Sequence, residues 1–399
     1  MPGFFKRTFA ALAVRPFRTL WIGTIFAFVG FFMSTVVQSV VAFDLTGNNS
    51  AVGMVTFAQG LMMFTLGPFG GAFADRLPKR RVIALCQSAT TLVFFSIAWA
   101  IANDRIGLSW LIAGSVVMGS SFAFLGPARQ SLSVELVGID LRGNAIALSQ
   151  IANSGCRVLG PALGGAFLAL SSDGAWIAYL AMGTFYLTSV VSLVFLPPSR
   201  VPEGARAKPV LADLLDGLRY VRHHDDLRPL LLLFTLVIII GFPHVTVLPG
   251  LVENRLGRGA EAASVLFGAT AFGSLLASLV VAASADSPRA ALVFRRLAVG
   301  FALALFVLAA APGFASAVAI MVGVGMVSGG FQTLGGAVII RNTEPRYVGR
   351  VMSLTMLSFA GFGLMGLPIG MLADAVGERW TFVALGGAVL AVALWLRRR

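Results

Sequence analysis

AVGMVTFAQGLMMFTLGPFGGAFADRLPKRRVIALCQSATTLVFFSIAWAIA, residues 51–102, decides the fold. Two apolar runs, each long enough to cross a bilayer as helix, flank a short hinge rich in Lys and Arg. The alternation repeats along the chain. Apolar segments fall near 20–43, 51–74, 82–102, 108–128, 143–170, 175–196, 229–251, 262–284, 290–311, 315–339, 350–373 and 379–396. Of the 30 Lys and Arg, only Arg105, Arg255, Arg258 and Arg379 occupy alternate loops, and Arg157 alone lies near the middle of a predicted span. The remainder lie at the termini and on every second loop. Positive residues stay on the cytoplasmic side, so both termini are expected there and the number of crossings is even. The expected class is an all-α membrane protein of twelve transmembrane helices, multi-pass in the cell inner (plasma) membrane.

Composition agrees. Hydrophobic residues make up 57% and charged residues 12%, against about 25% charge in a soluble globular chain. The +13 net charge is scattered over short loops rather than gathered on one face, which argues against nucleic acid as a partner. Cys86 and Cys156 both fall in predicted spans, so no disulfide framework is expected. The first apolar run is too long for a signal h-region, so no cleavable signal is read. Trp21, Trp110, Trp176 and Trp380 lie at span ends, where interfacial anchors belong.

The longest connection, 197–228, divides the crossings six and six, giving bundles 1–196 and 229–399. Within it Leu211, Leu214, Leu215, Leu218 and Val221 recur at helical spacing, which predicts an amphipathic helix on the cytoplasmic surface. The halves echo one another. Gly160 and Gly164 stand 17 and 21 positions after Gly143, as Gly366 and Gly370 do after Gly349. Asp75 and Asp286 each end the second span of their half. Six crossings per half insert both copies in the same orientation, a parallel repeat found in transporters.

The hinge reads Gly71-Ala-Phe-Ala-Asp75-Arg76-Leu-Pro78-Lys79-Arg80-Arg81. Gly71 permits close helix approach, and Asp75 can accept from open amides at a neighbouring helix N-terminus. In the fifth span Gln150, Asn153, Ser154 and Arg157 share one face, followed by Gly160-Pro161-Ala-Leu-Gly164-Gly165. An Arg at a helix centre costs about 2.5–3.5 kcal/mol on insertion scales. It should therefore face water or a partner: helix carbonyls, or a negatively charged substrate group. A small-residue packing seam with a structural arginine is the alternative. Gln38, Gln59, His244 and Gln332 are further polar side chains in apolar segments, grouped with Gln150, Asn153 and Arg157 as central-cavity candidates. His244 could titrate near neutral pH, and Pro243 and Pro249 should break its helix.

The hinge resembles the cytoplasmic signature loop of the major facilitator superfamily, with Gly71, Asp75, Arg76, Lys79 and Arg80 matching and Pro78 in place of a glycine. The resemblance implies that Asp75 latches the cytoplasmic gate. The Gly160–Gly165 run resembles the antiporter signature, with Cys156 where a glycine is usual. Phe17-Arg18-Thr19-Leu20-Trp21, Gly126-Pro127-Ala128-Arg129 and Val348-Gly349-Arg350-Val351-Met352-Ser353 most resemble the macrolide and siderophore exporter branch. That resemblance implies a monomeric secondary transporter exporting a small molecule by alternating access, coupled to protons and needing no cofactor or metal. Uptake is the rival, and a channel or receptor a third. Enzyme chemistry is not expected: the chain has no His-Glu-x-x-His helix and no Gly-x-x-x-x-Gly-Lys-Ser/Thr loop.

Overall fold

The structure is a computed structural model that describes residues 9–170, 174–198, 210–259, 262–282, 287–344 and 346–397, without the side chains of 71–76, 154, 210–213, 279 and 282. Its helices are α1 Arg15–Thr46, α2 Asn49–Arg76, α3 Lys79–Ala102, α4 Leu108–Glu135, α5 Arg142–Ala169 and α6 Gly174–Val194, then α7 Val210–Arg222. After it come α8 Leu227–Gly241, α9 Ala263–Ala282, α10 Ala290–Ala309, α11 Phe314–Arg341, α12 Val348–Val376 and α13 Glu378–Arg397. Among the described residues there is no strand.

Among the described residues, ten helical segments are long and apolar enough to cross a membrane. The remaining two expected crossings are helical as well. In α5 the polar face around Arg157 lowers the hydropathy, and in α9 the described apolar stretch, Ala263–Ser278, is shorter. The all-α membrane class therefore holds, with ten of the twelve expected crossings meeting the length and hydropathy of a span.

Two compact units form. One contains residues 1–37 and 65–210, the other 38–64 and 211–399. The segment 38–64, placed by sequence with the first bundle, thus packs with residues of the second. Inside each unit the pairing pattern recurs: α3 lies against α4 and α6, and α10 lies against α11 and α13. Glycines set these contacts. Gly183 of α6 meets the ring of Phe95, and Gly386 of α13 meets the Ala302 carbonyl and the Phe306 ring.

Pro127 lies inside α4 and has no N–H to give to the carbonyl four residues back, at Ala123. Gly70 of α2 sits on that freed oxygen, where a Cβ would collide with it. Leu20, Val82, Ile83, Leu125, Ala128, Leu132, Leu193 and Leu196 close the same end of this unit as one apolar cluster. The seventh crossing, Leu227–Arg255, is broken as its prolines predict. Regular helix ends at Gly241, and Phe242–Val247 continues as 3-10 helix.

The amphipathic helix of the long connection is present as α7, and it docks through only part of the predicted stripe. Val221 of the stripe is buried together with Gly217 and Tyr220, whereas Leu215 and Leu218 are each 55% exposed. The Tyr220 ring stacks on Tyr347 at 4.0 Å, its hydroxyl accepts from the Glu344 amide at 3.1 Å, and Asp216 pairs with Arg350 at 2.6 Å.

Candidate transport site

The side chains of Gly71, Asp75 and Arg76 lie outside the described residues, as does Asp286. The cations that follow them are well placed. Lys79 is buried and its Nζ lies 3.0 Å from Glu135 at the end of α4. Arg80 donates to the Leu196 carbonyl at 2.5 Å and the Val194 carbonyl at 3.2 Å. Those carbonyls belong to the end of α6, where open C=O groups favour a cation. The loop thus fastens the ends of α4 and α6 to the start of α3. Sequence reading grouped Lys79 and Arg80 with the gating signature loop but did not reach these partners.

On α5, Gln150 is exposed, while Asn153 and Arg157 are half-buried on the same face. The Arg157 guanidinium stands 5.4 Å from the Phe32 ring centre. The glycines that follow press α5 onto α1. A Cβ at Gly160 would lie 2.5 Å from the Phe32 Cβ, and one at Gly164 would lie 3.2 Å from the Met33 carbonyl. Pro161 lies within the helix and Gly165 is buried. This close approach positions Arg157 over an aromatic face of α1.

A second arginine enters the interior, where Arg157 alone was expected. Helix α4 runs through Pro127 to Glu135, beyond the expected end at 128, and carries Arg129 with it. Arg129 is 6% exposed and lies 5.3 Å from the Phe28 ring centre. Its Nη2 reaches the Ser189 hydroxyl at 3.4 Å, and Gln87 donates to the same hydroxyl at 2.9 Å. Its Nε has no partner among the described residues. Phe28 and Phe32 stand one helical turn apart on α1 with ring centres 6.4 Å apart. Two guanidinium groups therefore rest on successive aromatic turns, and among the described residues neither pairs with a carboxylate. Cation–π contact gives each about 0.5–2 kcal/mol, less than a paired carboxylate would. The expected fourth span, 108–128, leaves Arg129 in the loop that follows.

The other four candidates, Gln38, Gln59, His244 and Gln332, belong to the second unit, whereas Gln150, Asn153 and Arg157 belong to the first. Gln38 and His244 are buried, and Gln59 and Gln332 are half-buried. The His244 Nδ1 bonds the Gly241 carbonyl at 2.9 Å, and its ring meets Phe301 edge-on at 5.5 Å. No group of three or more His, Cys, Asp or Glu side chains could hold a metal ion among the described residues.

Duplicated helix pairing, many apolar crossings and the signature loop define a multi-pass membrane transporter of the major facilitator superfamily, not an enzyme. Residues 6–399 match the family described as transmembrane secretion effector, and the chain belongs to it. The chain is 26% identical to the staphyloferrin A transporter of Staphylococcus aureus, over 60% of this chain and 60% of that protein. Over fuller lengths it is 22% identical to macrolide efflux protein A of Streptococcus pyogenes (95% of this chain, 94% of that one). It is 25% identical to the enterobactin exporter EntS of Shigella boydii serotype 18 (96% and 92%). The fold is similar to that of the nucleoside transporter NupG, with TM-score 0.75 and 13% identity, covering 96% of this chain and 98% of that one.

Proposed function

We propose that this chain is a proton-coupled exporter of a small, amphipathic or anionic compound, working by alternating access in the cell inner membrane with both termini cytoplasmic. The single observation that carries the reading is the pair Arg129 and Arg157, stacked on α1 without a carboxylate partner among the described residues. Unneutralised guanidinium groups at membrane depth are retained where an anion or water completes them. Two of the relatives are named for outward movement, macrolide efflux protein A and the enterobactin exporter EntS, which favours export. The α5 face of Gln150, Asn153 and Arg157 lines the substrate path in this reading. His244, sealed against Phe301, serves packing rather than proton transfer. Bundles 1–196 and 229–399 act as the two repeats, linked by 197–228, in a single chain.

Everted membrane vesicles test it. Energised vesicles holding this chain should accumulate a siderophore or macrolide and lose it when an uncoupler collapses the proton gradient. Uptake by intact cells with no accumulation in everted vesicles rejects export. Two substitutions probe the site. Arg157→Ala should weaken substrate binding about tenfold or more, the loss of one charge-assisted contact. Arg157→Lys keeps the charge but not the planar fork, and should recover only part of it. Equal affinities in binding assays on purified protein assign Arg157 to packing instead. For the loop, Asp75→Asn should slow transport with insertion unchanged; normal turnover removes the latch role inherited by resemblance.

A further inference from the structure

The far end of α2 from Asp75 carries an arrangement that sequence reading did not reach. There α2 and α12 touch backbone to backbone. A Cβ at Gly60 would lie 2.5 Å from the Gly363 Cα, one at Gly53 would collide with the Gly366 carbonyl, and one at Gly370 would collide with Asn49. The seam ends in a cap. Asp374, near the end of α12, accepts from the first two amides of α2, Asn49 N–H at 2.8 Å and Ser50 N–H at 2.9 Å. The Glu378 Oε1 accepts from Asn49 Nδ2 at 3.1 Å and Asn254 Nδ2 at 2.6 Å. Gly377, at φ +85, allows α12 to stop and α13 to begin on that glutamate. Gly47, at φ +67, likewise turns α1 into α2.

Such a seam suits separation. Glycine contacts leave no interlocked side chains to unpack, and the amides released from Asp374 are the open N-terminal donors that water can satisfy. A carboxylate across two such amides is held by both charge and the helix dipole. We propose that Asp374, supported by Glu378, is the outer latch of the transport cycle, closing the α2–α12 seam at the end opposite the signature loop and releasing once per turnover. Helix α2 then ends on one carboxylate of its own, Asp75, and begins on another supplied by α12, Asp374. The outer position of this latch rests on the proposed orientation of the chain.

The test uses the full chain in intact cells and a membrane-impermeant maleimide. A Thr56→Cys reporter lies on α2 seven residues inside Asn49, about 10 Å deep, against Gly366. An Asn48→Cys reporter, exposed in the turn before α2, reads orientation alone. Asn48→Cys should label from outside in every background. Thr56→Cys should label slowly in the parent and about tenfold faster with Asp374→Ala, the shift from losing one charge-assisted cap. Asp374→Asn, equal in shape, should give an intermediate rate and covers the case in which alanine fails to fold. Unchanged Thr56→Cys labelling in both variants overturns the latch. Labelling of Asn48→Cys only in everted vesicles overturns the orientation instead, and the same ratio measured from that side then decides the latch.

Discussion

Glu135→Gln is expected to destabilise the signature-loop end of the first unit by about 3 kcal/mol, in the lower part of the range for breaking a buried ion pair. Lys79 keeps only 6% of its side-chain surface exposed and has Glu135 at 3.0 Å. Glutamine retains an acceptor but not the charge, which leaves a buried ammonium without its counter-charge. The loss is moderated because the Glu135 side chain is 35% exposed and water can approach it. The double change Lys79→Met with Glu135→Leu removes both charges and should recover most of the stability, since apolar replacement of a buried pair is often neutral or better. Thermal unfolding of the purified proteins in detergent measures all three. A melting temperature for Glu135→Gln equal to the parent's would show that the pair contributes nothing. Transport by the stable double variant then separates fold from function. If the loop must hold the ends of α4 and α6 through charge, transport falls while stability does not.

How much of this was legible in advance depends on the range of the interaction. Spans, the break after Gly241 and the α5 face are local: each follows from hydropathy, proline placement or helical spacing. The glycine repeat was legible too, but its meaning was not. Gly160 and Gly366 occupy matching positions, yet Gly160 packs α5 on α1 whereas Gly366 packs α12 on α2. Arg129 was missed because the fourth span was bounded at 128, whereas the helix runs on through Pro127 to Glu135. The docking of the linker helix was not legible either. Its leucines mark an apolar face, but docking is decided by Tyr347 and Glu344, more than a hundred residues away. The Asn49–Asp374 cap spans 325 residues, and nothing in either segment announces the other.

The second large effect is expected at the α9–α11 contact. A Cβ at Gly325 would collide with the Thr270 carbonyl, one at Gly273 with the Val322 carbonyl, and one at Gly329 would lie 2.6 Å from the Ser274 Cβ. Ser274 also donates to the Gly325 carbonyl at 3.0 Å. These obstacles are largely backbone, so no rotamer change can make room, and the helices must part along their length. Gly325→Leu should therefore cost about 3 kcal/mol or more, the upper part of the overpacking range, and abolish a monodisperse peak in size-exclusion chromatography. Gly323→Leu is the matched control: it lies on the same helix two residues away, is exposed, and meets nothing within 4 Å. It loses the same glycine and gains the same side chain, so helix propensity and added hydrophobicity are common to both. Only the facing backbone differs. Equal melting temperatures for the two variants would mean that α9 and α11 are not in this contact, and the duplicated pairing of the second unit would fall with it.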